Sequence, residues 1–365
     1  MAVPFLPTRA KTAWVRSGPL HSALQSLAKA SFPDMGLALA DLTLGFRVGD
    51  YAGWNDQKQF YTGSQPKIAI LLAAFRLRER VRASGKSGKD AADLFAQIET
   101  AWKPVVAKAI AGKPADFPKL STIFKVTDPK NVATVDFASG AKTWDALNKG
   151  HKKGFDASFA FLDRLKLSIG WSDNTASGRC VADLGRQYLN GAVASEGLFD
   201  SISSTGLWLS GNYDGAMSGA WETDKSLQLI QGATAASMAS YLMLLQTDGF
   251  AKLTASEHAE MRDTMGTPWF GDYLKDDGRP VGKVYGKVGI NGGGTGTPFR
   301  GFVHDCGVIE RIAGANTHRY VAVALNAKDN ATLKAVILAL DDLILSHGAL
   351  AQQKKAAAAK KKAAP

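Results

Sequence analysis

The residues best suited to chemistry are a serine and a lysine three positions apart, Ser64 and Lys67. Side chains at positions i and i+3 of a helix face the same way. Pro66 lies between them and is tolerated only in the first turn of a helix, so Ser64 is predicted to lie at a helix N-terminus. A lysine that is desolvated by apolar neighbours can take the proton of a serine nucleophile. The N–H groups of the first turn can stabilise an oxyanion.

The spacing alone is a weak signal, because Ser26 and Lys29 repeat it in a predicted amphipathic surface helix. Context separates the two pairs. Ser64 follows two strand-like runs and opens a helix whose residues 68–75 are apolar on nearly every face, which is the pattern of a helix buried all round. The sequence therefore favours Ser64 as the candidate nucleophile.

Two further motifs with polar groups follow Ser64 and Lys67 along the chain. Ser172, Asp173 and Asn174 open another predicted helix, where an ordinary N-cap would also explain them. Lys287 and Gly289 share one face of a predicted strand. The lysine would supply charge and the glycine would leave room for a ligand to approach the backbone, although an exposed edge lysine that opposes aggregation explains the pattern equally well.

In chain order, Ser-x-x-Lys, Ser-Asp-Asn and Lys-x-Gly resemble the three signature motifs of class A β-lactamases and penicillin-binding proteins. The segments 299–309 and 320–325 resemble the paired strands that follow the lysine motif, and the segment from Thr234 resembles the helix after the family's Ω-loop. The resemblance extends over residues 20 to 350. It implies an α/β (α+β) fold in which an antiparallel sheet is flanked by helices and interrupted by an inserted all-helical lobe.

The resemblance also implies roles for the first two motifs. Ser64 would be the nucleophile and Lys67 its general base. Ser172 would pass a proton toward the leaving nitrogen, and Asn174 would contact the substrate amide.

For the third motif, the resemblance implies that Lys287 orients Ser172 electrostatically and attracts a substrate carboxylate. The N–H groups of Ser64 and Ile290 would form the oxyanion hole, with Gly289 beside the substrate. Removing one oxyanion-hole donor costs about 3 to 4 kcal/mol of transition-state stabilisation in other enzymes.

The chain departs from the family pattern at three places. Val288 stands where a threonine or serine hydroxyl usually helps to bind the carboxylate of a β-lactam, and Thr295 or Thr297 is the alternative source of that hydroxyl. Glu222 is the candidate for the Ω-loop base that activates the deacylating water, but its spacing to the next helix departs from the family pattern. The interval from Ser64 to Ser172 is longer than in compact class A enzymes, which implies extra helical residues between about 85 and 150.

Hydrophobic periodicity predicts a discontinuous sheet domain whose first and last segments share one sheet. The expected parts are an N-terminal extension (1–19), the sheet domain (20–79 and 277–350), a helical lobe (80–276) and a disordered Ala/Lys tail (351–365). Within the sheet domain, the predicted elements are a helix at 21–30, strands at 36–42 and 44–51 joined as a hairpin, strands at 282–290, 301–312 and 319–325, and a closing helix at 331–347.

Charge and cysteine content narrow the class of ligand. The net charge is +11, but five lysines lie in the tail without interleaved aromatic residues, so no nucleic-acid partner is expected. A nucleic-acid or anionic-surface binder that uses this tail is the third hypothesis. Cys180 and Cys306 belong to no metal-binding pattern and are expected to be buried free thiols, with a disulfide as the alternative. No metal or organic cofactor is implied.

The N-terminus and the apolar runs bear on the compartment. The first residues are broken by prolines and lack the charged start and apolar run of a secretory signal. The expectation is a cytoplasmic protein if the chain is full length, and a periplasmic or secreted one if a signal peptide has been removed. The longest apolar run is far shorter than the roughly 20 residues of a membrane span, so none is predicted.

The leading functional hypothesis is a serine hydrolase that acts through a Ser64 acyl-enzyme on a small-molecule or peptide amide or ester. One alternative is a catalytically silent binding protein with the same fold. Another is a penicillin-binding or esterase-type enzyme without efficient β-lactam turnover.

Overall fold

The structure is a computed structural model that describes residues 16, 18–45, 50–109, 117–140, 143–147, 159–200, 203–209, 213, 231–291 and 301–348. These residues pack into two compact units. The helical unit takes its described residues from Pro66–Gln231 and Asp248–Met265, and the sheet unit takes those up to Gln65, Gly232–Thr247 and those from Gly266 onward.

Helices and strands occur in blocks along the chain. The main helices are α1 (Gly18–Ser31), α2 (Ile68–Arg82), α3 (Ala91–Ala109), α4 (Leu120–Ile123), α5 (Phe161–Gly170), α6 (Asn174–Leu184), α7 (Arg186–Ser195), α8 (Ala235–Gln246), α9 (Ala255–Thr264), α10 (Trp269–Asp276) and α11 (Asn330–His347). The strands are β1 (Gly36–Asp41), β2 (Tyr51–Trp54), β3 (Phe124–Val126), β4 (Val135–Phe137), β5 (Phe199–Asp200), β6 (Thr205–Gly206), β7 (Val281–Gly286), β8 (Gly289–Ile290), β9 (Val303–Ala313) and β10 (Asn316–Ala327).

The sheet unit is built around an antiparallel sheet with the strand order β2-β1-β10-β9-β7, and β8 continues alongside β9. Side chains alternate between the two faces of β1, and Leu37 and Leu39 join a core formed with α1, α10 and α11. Helix α8 packs against β1, β9 and β10. Gly36 pairs with Leu325, so the first and last strands share one sheet as predicted. The antiparallel sheet flanked by helices is confirmed.

Two predicted strands differ in their limits. The strand expected at 44–51 is β2 at Tyr51–Trp54, because β1 pairs with it from Tyr51 onward and residues 43 and 44 form a turn; residues 46–49 lie outside the described residues. The strand expected at 282–290 is divided into β7 and β8. Its register is nevertheless continuous, since the Lys287 N–H donates to the Cys306 carbonyl across the break.

The helical unit is organised around α2, whose residues 68–75 are all buried as the sequence predicts. The helix packs against α5, α6, α7 and α9. The unit is not all-helical, since β3 pairs with β4 and β5 with β6; strands of two or three residues are too short to leave a period-two pattern in the sequence. No described helix is long and apolar enough to cross a membrane.

The limits of the compact units differ from the expected domain limits. The sheet domain was expected to include residues up to 79, whereas the first division between units falls between Gln65 and Pro66 and assigns α2 to the helical unit. Helix α8 belongs to the sheet unit, because it packs against β1, β9 and β10. Hydrophobic periodicity detects that a helix is buried but does not identify the element that covers it.

The two cysteines are free and buried, which confirms the expectation of buried thiols. Burial raises the pKa of the Cys180 thiol to about 12 and also raises that of Cys306. Neither thiol has the low pKa of a reactive cysteine.

Residues 61–65, called the Ser64 turn below, pack closely against the strand that contains β8. A Cβ atom at Gly63 would lie 2.3 Å from the carbonyl oxygen of Ile290, and one at Gly289 would lie 2.3 Å from the carbonyl oxygen of Thr62. Gly63 also has a φ of 56°, a left-handed conformation that favours glycine. Glycine is therefore required at both positions, at Gly63 for conformation and space and at Gly289 for space.

A chain of hydrogen bonds joins the same turn to the centre of the sheet. The Asn326 N–H donates to His304 Nδ1 (2.9 Å), and His304 Nε2 lies 3.0 Å from Asn291 Oδ1. Asn291 Nδ2 in turn donates to the Tyr61 carbonyl (3.2 Å). Burial lowers the pKa of His304 to about 3, so the imidazole is neutral and the hydrogen on Nε2 donates to Asn291.

The close contact at Gly63 can be tested against a second glycine. Gly45 also has a positive φ, of 78°, but no atom lies within 4 Å of its Cβ position. Alanine at either position has a backbone cost of about 1 to 2 kcal/mol, and only Gly63→Ala adds an overlap cost of about 1 to 3 kcal/mol. Urea denaturation should show the larger loss of unfolding free energy for Gly63→Ala, and equal losses would contradict the packing.

The buried imidazole predicts an acid-dependent loss of stability. Between pH 6.5 and the folded pKa of about 3, the unfolded chain binds a proton at His304 and the folded chain does not, so the unfolding free energy falls as the pH is lowered. The loss is about 1.4 kcal/mol per pH unit within that window. Urea denaturation between about pH 6 and about pH 4.5 should show a shallower loss for His304→Gln than for the wild type. Parallel slopes would show that the folded state does not hold a neutral imidazole.

Candidate active site

The helical unit brings the first two motifs into direct contact at Lys67. This side chain is 0% exposed, and its Nζ donates to the Ser172 carbonyl (2.6 Å) and to Asn174 Oδ1 (2.7 Å). Ser172 Oγ lies 3.3 Å from the same nitrogen. Three acceptors therefore surround a group with three donors, and they include the two side chains that the sequence pairs with Lys67 functionally.

An aromatic side chain also contacts this lysine. The Lys67 Nζ lies 4.6 Å from the ring centroid of Tyr213, which is within cation–π range. Gln231 Nε2 donates to the Tyr213 hydroxyl (2.7 Å) and thereby fixes the ring. The sequence did not identify either residue, because a tyrosine among glycine, asparagine and aspartate gives no signal of a distant lysine.

The local fold explains why Ser172 and Asn174 face Lys67. Between α5 and α6, Asp173 acts as the N-cap and its Oδ1 accepts from the Ala176 N–H (2.7 Å). The ordinary capping explanation therefore applies to Asp173 alone. Ser172 has a φ of 59°, a left-handed conformation that typically costs about 1 to 3 kcal/mol and is concentrated at functional sites.

Ser64 lies in the sheet unit and is half-buried. It directly precedes a 3₁₀ turn at Gln65–Lys67, which leads into α2. The prediction that Ser64 opens the buried helix is therefore confirmed, with a tighter first turn than an α-helix has. By contrast, Ser26 is exposed on α1 and its hydroxyl donates to the Ser22 carbonyl (3.1 Å), as expected for a surface helix.

Lys287 is buried in the sheet unit with only 2% of its surface exposed, so it is not an exposed edge lysine. Its Nζ donates to the Val288 carbonyl (3.2 Å). Burial lowers the pKa of the ammonium group to about 8, and the neighbouring Cys306 and Asp305 oppose that effect. Lys287 is therefore poised to change charge just above neutral pH.

The backbone around Ile290 faces the Ser64 turn. The N–H groups of Lys287 and Asn291 donate toward β9, to the carbonyls of Cys306 and Phe302 (both 2.9 Å). Because alternate N–H groups of a strand point in opposite directions, the N–H of Ile290 points away from β9. Its carbonyl oxygen, on that same side, is the atom that a Cβ at Gly63 would meet.

The space beside Gly289 corrects one expectation. The sequence suggested that this glycine leaves room for a ligand, but the carbonyl of Thr62 and the side chain of Gln65 occupy the position of its missing Cβ. The glycine is needed here so that two backbone segments of the protein can approach each other. A contact between segments more than 200 residues apart is not visible in the sequence.

Several candidate residues lie outside the described residues, namely Glu222, Thr295, Thr297 and the tail at 351–365. Val288 is half-buried, and Asn174 is exposed. Within the described parts of the chain, no group of three or more acidic, histidine or cysteine side chains could hold a metal ion.

Comparisons with known proteins agree with the fold. The chain resembles the solved structures of the TLA-3 extended-spectrum β-lactamase (14% identity, TM-score 0.52, covering 89% of this chain and 96% of that one) and of a β-lactamase from Chitinophaga pinensis (14%, 0.51, 89% and 97%). A β-lactamase from Sphaerobacter thermophilus is similar (15%, 0.50, 90% and 95%). The comparison with curated proteins gave no match.

The sequence profile described as "Beta-lactamase enzyme family" matches residues 119–346. The matched region includes the Ser-Asp-Asn and Lys-x-Gly motifs and begins after Ser64 and Lys67. The profile matches more than half of the chain, and the three solved structures align with 89% to 90% of the chain. The chain belongs to the beta-lactamase enzyme family, as its three motifs suggested.

Proposed function

We propose that this protein is a serine hydrolase that forms an acyl-enzyme on Ser64 with an amide or ester substrate. Family membership and fold support a serine-hydrolase type of function. The observation that carries the finer proposal is the contact of buried Lys67 with both Ser172 and Asn174. A proton relay through Lys67 would use these two side chains, and the left-handed conformation of Ser172 is retained where they meet the lysine.

Lys67 is the proposed general base for Ser64. As a neutral amine, it would keep two N–H donors for the Ser172 carbonyl (2.6 Å) and Asn174 Oδ1 (2.7 Å). Its lone pair would accept the Ser64 proton as Ser64 Oγ bonds to the substrate carbonyl carbon. Both short contacts remain available in either protonation state, so the lysine would keep these two partners during the proton transfer.

Ser172 is the proposed proton shuttle to the leaving group. Its Oγ lies 3.3 Å from Lys67 Nζ, within reach of a proton relay that tightens when substrate binds. When the tetrahedral intermediate collapses, the bond from carbon to the leaving nitrogen or oxygen breaks, and Ser172 donates a proton to that atom. Lys67 returns a proton to Ser172, and the acyl group remains on Ser64.

The N–H groups of Ser64 and Ile290 are the proposed oxyanion donors. Support comes from the direction of the Ile290 N–H, which points away from β9 toward the side of the sheet where the Ser64 turn packs. Fixed backbone donors cost no reorganisation during the reaction, which makes them effective at stabilising developing charge.

Lys287 is the proposed binding group for a substrate carboxylate, and Val288 limits the class of substrate. With a pKa of about 8, the Lys287 side chain is mostly an ammonium ion at neutral pH. Val288 has no hydroxyl to assist it. We therefore propose an anionic acyl substrate, with slow turnover of β-lactams, and keep Glu222 as the proposed deacylation base.

Covalent labelling tests the nucleophile. Intact-mass spectrometry after incubation with penicillin, a chromogenic cephalosporin and a fluorophosphonate should show a single adduct in the wild type and in Ser26→Ala, and none in Ser64→Ala. Ser26→Ala is the matched control because Ser26 has the same spacing to a lysine. An adduct that persists for hours would identify a penicillin-binding type of enzyme. Folded protein that takes no adduct from any probe would favour the silent binding protein.

The pH dependence tests Lys287. Loss of its proton removes the positive charge, so kcat/KM for a carboxylate-bearing ester should fall relative to a neutral ester of the same acyl group as the pH rises through about 8. Lys287→Ala should abolish this pH-dependent preference and lower kcat/KM for the anionic ester by roughly 10- to 100-fold, the expected loss for a charged hydrogen bond. Lys283→Ala, which removes an exposed lysine of β7, should leave both unchanged. A preference that survives in Lys287→Ala would assign carboxylate binding to another group.

A further inference from the structure

We propose that Asn291, held in orientation by His304, is a positioning residue that fixes the Ser64 turn for acylation. The inference rests on the proposed function, because it concerns the nucleophile of that reaction. It assigns a role to two residues that belong to none of the three motifs.

The Ser64 turn is attached to the neighbouring strand on both sides of the serine. On one side, the Tyr61 carbonyl accepts from Asn291 Nδ2 (3.2 Å). On the other, Gln65 Nε2 donates to the Lys287 carbonyl (3.3 Å). Ser64 lies between these two attachment points, while Phe60, just before the turn, pairs with Ala233; loss of either side-chain bond would therefore loosen the turn itself.

The orientation of the Asn291 amide is determined by its partners. His304 Nδ1 accepts from the Asn326 N–H, so the hydrogen of the neutral ring is on Nε2 and donates to Asn291 Oδ1. The Oδ1 atom is therefore directed to the histidine, and the NH₂ group is directed to Tyr61. Each hydrogen bond in the series from β10 to the Ser64 turn therefore has its donor on the β10 side and its acceptor on the side of the turn.

Asn291 is itself fixed by its backbone. Its N–H donates to the Phe302 carbonyl (2.9 Å), and its carbonyl accepts from the Gly301 N–H (3.2 Å). Both Asn291 and His304 are buried, so water does not compete for these bonds. The side chain therefore extends from a backbone segment that is hydrogen-bonded on both its N–H and its carbonyl.

The Tyr61 attachment matters for the chemistry because of the turn that follows it. The Gln65 N–H donates to the Thr62 carbonyl (3.1 Å), a closure that does not use the Ser64 N–H. Fixing the carbonyl of Tyr61 fixes the plane of the next peptide, and with it the direction of the turn that presents Ser64. A misplacement of about 1 Å in a reacting group can cost roughly 100-fold in rate.

The test compares variants of the chain of hydrogen bonds. Asn291→Leu and His304→Leu should each slow acylation of Ser64 by a fluorophosphonate roughly 100-fold, the cost of a small displacement. The double variant should be no slower than either single variant, because both break one chain of bonds. His304→Gln keeps a donor near the Nε2 position and should retain most of the acylation rate. KM for a carboxylate-bearing ester should change little, since Lys287 is not altered.

The control separates positioning from general stability. Asn190 is also buried and bonded to backbone on both sides, to the Leu209 carbonyl (2.8 Å) and N–H (3.0 Å), but it lies in the helical unit. Asn190→Leu should lower the unfolding free energy as Asn291→Leu does and leave the acylation rate within a few-fold of wild type. If Asn190→Leu slowed acylation equally, or if Asn291→Leu were acylated at the wild-type rate, the positioning role would be wrong.

The mobility of the Ser64 turn can also be measured without any enzymatic activity. Hydrogen exchange followed by mass spectrometry should show faster exchange in the peptide that contains residues 61–65 in Asn291→Leu, and unchanged exchange there in Asn190→Leu. If the wild type takes no acyl adduct, the proposed function fails, and exchange at the Ser64 turn decides by itself whether Asn291 holds it. Unchanged exchange in Asn291→Leu would overturn the proposal.

Discussion

A buried lysine is the constraint on which the candidate site depends. Lys67 lies at the start of a helix with apolar residues on every side, and transfer of its amine out of water is costly unless acceptors replace the water. Ser172 and Asn174 supply those acceptors, and Tyr213 offers the electron-rich face of its ring. The left-handed conformation of Ser172 follows from this need for acceptors. The strain of that residue brings its carbonyl and its hydroxyl to the same nitrogen.

In the sheet unit, Ser64 lies in a turn that is held mainly by contacts of its backbone. Two glycines let backbone approach backbone, and the amide of Asn291 and the side chain of Gln65 add directional bonds. The two ends of the Ser-x-x-Lys motif are thus held by different interactions. Backbone packing and side-chain hydrogen bonds hold the Ser64 turn, and hydrogen bonds to Ser172 and Asn174 hold Lys67. Pro66 lies at the junction and restricts the backbone between them.

Much of this arrangement could be predicted from the sequence, where the signal was local. Pro66 indicated the helix start, the apolar residues 68–75 indicated a fully buried helix, and β-branched runs marked β9 and β10. The roles of Tyr213, His304 and the space beside Gly289 could not be predicted, because each depends on contacts between distant segments. His304 faces Asn291 only because of the register between β8 and β9, and no residue pattern encodes that register.

The pairing of the first strand with the last has a consequence for biosynthesis. Gly36 and Leu325 are partners in the sheet, so β1 leaves the ribosome long before the strand that completes it. Until then, the N-terminal hairpin of β1 and β2 presents an open edge of backbone donors and acceptors, the kind of surface that pairs with other chains. Contacts of such long sequence separation also form slowly. A nascent or C-terminally truncated chain would therefore expose that edge to pairing with other chains, however stable the finished sheet is.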